Sequence, residues 1–381
     1  MNKIGVYIHF PYCEKKCPYC DFNSHVAKKI DDDAFLEAYK VDFDYYLSQL
    51  EQKTRTLESI FFGGGTPSLM HPALANGIIE YIKQKCIGFG IKIAENLEIT
   101  LEANPSSFET GKFIDFKNAG INRVSIGVQS FIEEDLKALG RVHNKMQAVE
   151  AIYAAREIFE RFSFDLIYGR QHQTMQMWES ELELALKEFK PNHISLYTLT
   201  IEKGTQFFKL HKEGKLILPE NQDDFYALTN AICKNHGLER YEISNYSKPQ
   251  NECKHNILYW TGKEYIGIGP GAHGRIDTKN GRTATMNYNE PEKYLKKIQE
   301  MQNAAQNFTT LSNEDIALEM IAMGLRTKNG FDLEIAKDYI DLQNVEILCN
   351  EGMLIVDGNI IKPNDKGLDF CDGIQKFIIK Q

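Results

Sequence analysis

The residues best placed for chemistry are three cysteines, Cys13, Cys17 and Cys20, spaced C-x3-C-x2-C directly after a short apolar run at 5–10. They offer three thiolates and no fourth. An iron–sulfur cluster is ordinarily held by four cysteines, so a cubane held by three keeps one iron open to an external ligand. The same thiolates suit zinc, and His25 can complete a tetrahedral Cys3His set, so spacing alone leaves both metals open. A disulfide is disfavoured, because nothing at the start of the chain reads as a secretory signal and spaced cysteines in a reducing compartment more often bind metal. A cytoplasmic setting is therefore expected. Cys86, Cys233, Cys253, Cys349 and Cys371 are scattered, form no second C-x2-C, and read as small buried hydrophobes.

Three further motifs carry polar or conformational information. Gly63-Gly64-Gly65-Thr66-Pro67 stands between an apolar run and a helical stretch. Glycine lets backbone approach a ligand closely, and the fixed φ of Pro67 stiffens the turn. It is not a phosphate loop, since no Gly-Lys-Ser/Thr follows. His255-Asn256-Ile257-Leu258-Tyr259-Trp260 joins an imidazole to two broad aromatic surfaces. Histidine is a common axial ligand of haem iron, and Tyr and Trp can stack on a macrocycle while keeping a polar handle. The plainer reading is a loop with a buried aromatic pair and a capping Asn. Gly267-Ile268-Gly269-Pro270-Gly271-Ala272-His273-Gly274 lacks the βαβ setting of a dinucleotide fingerprint and reads as a tight corner, with His273 a lesser candidate for a second haem contact.

These motifs need a scaffold that brings them together. Short β-type runs at 5–10, 59–62, 96–103, 123–129, 163–168 and 193–199 alternate with helical stretches at 32–52, 72–85, 109–119, 132–139, 146–159 and 175–189. Such alternation predicts a parallel sheet with right-handed crossovers. At the ends of the six runs stand, in turn, the cysteine loop, the glycine turn, Glu102 with Asn104, Gln129, Asp165 with Tyr168, and Tyr197 with Thr198. A doubly wound sheet gathers its ligands at one switch point, whereas a βα barrel loads a whole rim. Six loaded ends predict an α/β fold of the partial (β/α)6 barrel type.

Beyond the barrel, a further strand is expected at 241–246, a hairpin turn at Asn280-Gly281, a helix over 291–304, and a polar linker at 306–310. Ser312 with Asp315 marks a new helix start. The domains are thus expected to be 1–310, the barrel and its extension, and 311–381, helices followed by a hairpin around Asp357-Gly358-Asn359 in a winged-helix-like α+β arrangement. That second unit holds 7 Lys and Arg against 13 Asp and Glu, so it should repel phosphate and reads as a lid or docking module rather than a DNA binder. The whole chain, 381 residues with a net charge of −9, likewise argues against nucleic acid. No apolar run reaches the ~18 residues of a membrane helix, which leaves only peripheral membrane contact open.

Tyr7-x-His9-x-Pro11-x-Cys13-x3-Cys17-x2-Cys20 followed by Gly63-Gly64-Gly65-Thr66-Pro67 resembles the radical S-adenosylmethionine family, in the branch of oxygen-independent coproporphyrinogen III oxidases and HemW-type haem chaperones. The resemblance covers nearly the whole chain. It implies that Cys13, Cys17 and Cys20 hold a [4Fe–4S] cluster whose fourth iron is chelated by the methionine end of S-adenosylmethionine. One electron then cleaves the sulfonium to a 5′-deoxyadenosyl radical. It further implies S-adenosylmethionine contacts from Tyr7, Tyr19, Gly64, Gly65, Thr66, Glu102, Gln129, Arg141 and Asp165. His255, Tyr259 and Trp260 would contact haem, His255 through its iron.

Within that branch two functions compete, a haem carrier that delivers haem to acceptor apoproteins and an enzyme that decarboxylates coproporphyrinogen III. Three features favour the carrier. The oxidase has another cysteine two residues after the third, where this chain has Phe22; it has a long N-terminal extension, where this chain reaches its first strand by Gly5; and the segment from His255 to Trp260 matches the carrier's signature. Either function would need a reductant for the cluster. One departure is Arg170-Gln171-His172, which stands where the branch has a Leu-Pro-Gly turn after the fifth strand and leaves the shape of that rim loop open.

Overall fold

Successive residues of a strand point to opposite faces, and in this chain the two faces differ in polarity. Ile4, Val6, Ile8 and Phe10 are buried and apolar, as are Ile60 and Phe62, Leu101 and Ala103, Val124 and Ile126, and Phe164 and Leu166. The intervening positions include Tyr7, Ser59, Glu98, Glu102, Arg123, Ser125, Asp165 and Ser195. Helices must cover the apolar face, and curling the sheet lets the polar face line a shared interior.

The computed structural model describes residues 2–26, 30–106 and 110–380. Its central strands are β1 (Asn2–Phe10), β2 (Arg55–Gly64), β3 (Lys92–Ala103), β4 (Arg123–Gln129), β5 (Arg161–Tyr168) and β6 (His193–Thr198). They are parallel neighbours in chain order. Helices Asp32–Gln49, Pro72–Gly88, Phe113–Asn118, Glu133–Ala138, Lys145–Ile158 and Met175–Phe189 fill the crossovers. The expected partial (β/α)6 barrel is therefore present. The third helix is shorter than expected, and its expected start at Glu109 lies outside the described residues.

The sheet continues at both edges. The strand expected at 241–246 is instead two, β7 (Glu239–Glu242) and β8 (Asn245–Ser247), a hairpin whose second strand pairs antiparallel with β6. At the other edge β9 (Glu264–Ile268) lies parallel to β1, a seventh parallel strand that the sequence reading did not separate from its surroundings. Arg55 reaches across β1 to bind both carboxylate oxygens of Glu264, at 3.0 and 2.9 Å, and so staples β9 to β2. Strands β10 (His273–Thr278), β11 (Gly281–Asn287) and β12 (Ala305–Thr310) then add an antiparallel meander, with the expected turn at Asn280-Gly281. The polar stretch 306–310 is thus an edge strand rather than a linker, and its exposure explains why it lacks an apolar alternation.

The helix Pro291–Met301 packs against Asp32–Gln49, and Ser312 with Asp315 forms the expected capping box before Asn313–Gly324. Beyond it, Ile321, Leu325, Phe331, Leu348, Ile361 and Ile374 belong to an apolar cluster of their own. Three short strands, Phe331–Asp332, Ile360–Pro363 and Leu354–Asp357, complete the helices-plus-hairpin pattern. This cluster is distinct from the apolar core of the barrel. Among the described residues no helix is long and apolar enough to cross a membrane.

Candidate cofactor site at the strand ends

The glycine turn exists because the cysteine-bearing chain lies directly on it. Gly65 N–H donates to the Phe10 carbonyl and Thr66 N–H to the Tyr12 carbonyl, each at 2.7 Å. A Cβ on Gly65 would stand 2.5 Å from the Tyr12 oxygen, and one on Gly64, at φ +108°, 2.6 Å from the His9 ring. The backbone entering Cys13 is thereby fixed to the end of β2.

The thiols sit half-buried beside a continuous hydrogen-bond chain. Thr66 Oγ1 donates to Cys13 Sγ at 3.4 Å and accepts from Asn104 Nδ2 at 2.9 Å. Arg141 Nη2 donates to Asn104 Oδ1 at 2.5 Å and to the Gly127 carbonyl at 2.7 Å, while its Nη1 reaches Cys17 Sγ at 3.6 Å and the Tyr19 hydroxyl at 3.4 Å. Arg141 is thus no surface residue. Its Nε is buried without a partner among the described residues, a donor left over for something else at the rim. Asn104, read from sequence only as one of the rim residues, is the link that joins Cys13 to Cys17. Burial pushes the Cys13 and Cys20 thiols up, so they lose their protons readily only when a bound metal displaces them to solvent.

His25 does not complete this set. It pairs in a two-strand ribbon with Tyr12, and Val26 pairs with Cys13, so His25 stands on the Tyr12 face while Cys13 points the other way. His25 Nε2 is hydrogen-bonded with Asn23 Oδ1 at 3.1 Å. Among the described residues no three His, Cys, Asp or Glu side chains converge on a single ion. Three thiols on one loop, with an unpartnered guanidinium nitrogen beside them, fit a larger cluster with an open iron.

Two acids face the interior next to these groups. Glu102 accepts from Gly64 N–H at 3.3 Å, and burial, reinforced by the Asp165 charge, pushes its carboxyl up to about 8. Asp165 rises to about 6 through burial, moderated by hydrogen bonds from Ser195 and Ser125. At neutral pH Glu102 keeps its proton and offers a donor as well as an acceptor. Gln129 ends β4 at φ +69°, and its amide nitrogen lies beside Gly127 and Arg141. Below it Arg170 is buried, donating to Glu181 Oε2 at 2.5 Å, to the Ile167 carbonyl at 2.9 Å and to the Gln129 carbonyl at 3.4 Å. Glu181 also accepts from Ser130 Oγ and Phe131 N–H, both at 2.7 Å. The atypical Arg170-Gln171-His172 loop is therefore a strut under the β4 turn, with His172 left exposed.

The remaining expected residues divide between a cavity and its floor. Tyr7, Gly64 and Glu102 line a cavity of about 360 Å³ together with Phe22, Tyr259 and His273. Tyr7 donates to His9 Nδ1 at 3.1 Å, because His9 Nε2 is the nitrogen that donates to the Asn23 carbonyl at 2.8 Å. His255 is not on the wall. Helix Lys254–Trp260 enters the barrel interior, and His255, 1 % exposed, stacks 5.0 Å from Phe61 and 6.2 Å from Tyr7 with Tyr259 edge-on at 4.9 Å. Its Nδ1 is 2.7 Å from Ser59 Oγ, its backbone N–H donates to Glu98 at 3.2 Å, and burial lowers its pKa to about 3. Its Nε2 has no partner among the described residues. Trp260, at the end of the same helix, is half-buried. The floor residues Ser59 and Glu98 were not singled out from sequence, although a Glu on the inward side of an apolar strand was the available signal.

The family model described as the radical SAM superfamily matches residues 7–185. Over nearly its full length the chain is 35 % identical to the heme chaperone HemW of Buchnera aphidicola subsp. Acyrthosiphon pisum, covering 99 % of this chain and 98 % of that protein. It is 36 % identical to the radical S-adenosyl methionine domain-containing protein 1, mitochondrial, of Dictyostelium discoideum, covering 99 % and 94 %. Among solved structures, coproporphyrinogen III oxidase (HemN) from Escherichia coli superposes with a TM-score of 0.80 over 98 % of this chain and 89 % of that one, at 22 % identity, a likeness of fold.

Proposed function

Because the chain belongs to the radical S-adenosylmethionine superfamily, in the branch shared by HemW and HemN, we propose that within that branch it is a haem carrier, one that binds haem and delivers it to acceptor apoproteins. Membership implies a [4Fe–4S] cluster and S-adenosylmethionine, and Cys13, Cys17 and Cys20 are the residues that would hold the cluster. When bound, the pair supplies one-electron reduction of a sulfonium, fed by an external reductant. The chain's own part is positional. Thr66, Asn104 and Arg141 fix two of the thiols relative to one another, and the spare Arg141 Nε suits a carboxylate. Glu102, protonated at neutral pH, suits neutral hydroxyls or an amine, and Tyr19, Gly65, Gln129 and Asp165 complete the proposed S-adenosylmethionine surroundings.

The observation that carries the choice of haem over porphyrinogen chemistry is Phe22. At the position where the oxidase has a cysteine stands an aromatic side chain that is 59 % exposed, on the wall of the cavity with Tyr259 and His273. A broad exposed ring that contributes nothing to the core is a surface for a flat apolar ligand. The similarity to a named haem chaperone along almost the entire chain supports the same reading. The free thiols suit a reducing cytoplasm, while other members of the branch carry mitochondrial names.

The test is transfer. Haem-loaded protein mixed with an apo-haemoprotein should lose its own Soret spectrum as the holo-acceptor's grows, at a rate that depends on acceptor concentration. Haem that stays bound, or that moves at the same rate to any hydrophobic scavenger, would contradict delivery.

A further inference from the structure

Electron tunnelling falls off steeply with distance, so a protein that reduces a half-buried cluster has to dock where the cluster comes nearest the surface. The cysteine loop has two open sides. The inner one faces the cavity lined by Tyr7, Gly64 and Glu102, which are among the residues proposed above to surround S-adenosylmethionine. The outer one is a separate groove of about 360 Å³ lined by Lys16, Cys17, Pro18, Cys20, Asp21 and Lys203, and none of the residues assigned to S-adenosylmethionine lies on it. Two of the three cluster cysteines are therefore within reach of a protein seated on the outer face. Two segments far apart in sequence build that face. Helix Gln206–Lys212 is anchored on the cysteine loop, since Phe207 N–H donates to the Pro18 carbonyl at 2.9 Å and the Phe207 ring lies 6.2 Å from Tyr19. Residues 15–20 and 203–212 together hold Lys15, Lys16, Lys203, Lys209 and Lys212 and no Asp or Glu, while Glu14, Asp21 and Glu202 flank them. Five cations against three anions make a local positive surplus on a chain whose net charge is −9. All five lysines are exposed. Lys16 donates to the carbonyls of Phe22 and Ser24, each at 3.4 Å, and Lys203 has no carboxylate partner among the described residues, so both charges are left to face solvent.

We propose that this groove is the docking face for an acidic one-electron carrier protein, and that Lys16 and Lys203 steer the carrier onto it. The assignment rests on the cluster reading above and gives the external reductant of that reading a place and a sign of charge. One electron passes from the reduced carrier to the cluster, the carrier is oxidised by one electron, and no bond forms or breaks. Electron-transfer encounters are small, below ~1,200 Å² of buried surface, so a few well-placed charges are enough to set their rate.

Stopped-flow absorbance of the cluster-loaded full chain, mixed with a photoreduced acidic flavodoxin, tests the face. Cluster reduction should slow as ionic strength rises past ~0.1 M, where charges more than about 10 Å apart are screened. Lys16→Glu and Lys203→Glu combined should slow it by ~10-fold or more at low salt, with iron and sulfide content unchanged. Lys279→Glu, the same change of charge in the exposed turn between β10 and β11, should leave the rate as it was. Reduced methyl viologen, a small cation, should reduce the doubly substituted protein at least as fast as the unaltered one. Carbodiimide cross-linking to the oxidised flavodoxin, mapped by mass spectrometry, should join its carboxylates to Lys16 or Lys203. A flavodoxin rate indifferent to the double substitution, equal slowing with both donors, or cross-links confined to other lysines would overturn the docking face. Failure of the unaltered protein to hold iron and sulfide would overturn the cluster reading itself, and the docking face with it.

Discussion

Cys17→Ala protein, reconstituted anaerobically with iron and sulfide, should retain almost none of the about four irons and four sulfides per chain expected of the unaltered protein. The loop supplies three thiols, and the nearest alternative, His25, is turned to the other face of its ribbon and bonded to Asn23. Nothing in the described surroundings replaces a lost ligand. Cys17 is also the thiol reached by Arg141, so its removal breaks the hydrogen-bond chain through Asn104 and Thr66 to Cys13. Iron and acid-labile sulfide analysis checks this, with the absorbance near the cluster's charge-transfer bands as a second readout. Stoichiometric zinc without sulfide in the unaltered protein would contradict the cluster.

The largest loss of stability is expected from Glu98→Ala. Glu98 is 2 % exposed, binds Arg161 Nη1 at 2.5 Å, accepts from His255 N–H at 3.2 Å and from Cys253 Sγ at 3.5 Å, and lies close to the buried Arg123. Burial alone would raise its pKa. The Arg123 and Arg161 guanidiniums, with the backbone donors of Lys254 and His255, outweigh that and hold it below the ordinary value. Removing one member of such a buried network leaves the partners' charge uncompensated, which costs about 3–5 kcal/mol, a large part of a typical domain's stability. A group whose folded pKa is depressed stabilises above its unfolded value and loses that contribution as pH falls through the folded one. The gap between the two proteins in urea melts should therefore be widest near neutral pH and close below pH ~4. A difference under about 1 kcal/mol at neutral pH would mean that the network is energetically neutral. Because Glu98 also holds the His255 backbone, the variant should loosen Tyr259 and weaken haem binding as well.

The six barrel strands were legible because each joins a β-type run to a polar or glycine end, and that pattern depends only on neighbours in sequence. Strand β9 was not, since Glu264-Tyr265-Ile266-Gly267-Ile268 is five residues long and merges into a glycine-rich corner whose bends dominate the local signal. Residues 306–310 failed for the opposite reason, because an exposed edge strand of Gln, Asn, Phe and Thr has no buried face to impose alternation. For the site, the cysteines, the glycine turn and the rim acids could be picked out by type and position. Asn104 could not be ranked above its neighbours, because its importance lies in spanning Thr66 and Arg141, residues 38 and 37 positions away along the chain. The surroundings of His255 were hidden in the same way. Its sequence setting of imidazole, Tyr and Trp suits a ligand surface, yet Ser59, Phe61 and Glu98 on two other strands decide that it lies inside the barrel. Phe22 gained meaning only when its ring was found on the cavity wall rather than in the core.

Possession of the radical machinery and use of it on a porphyrinogen are separable, and one incubation separates them. Cluster-loaded protein, given S-adenosylmethionine, a low-potential reductant and coproporphyrinogen III under anaerobic conditions, should return the coproporphyrinogen unchanged while still binding added haem. Catalytic formation of protoporphyrinogen IX over many turnovers would contradict the haem-carrier account.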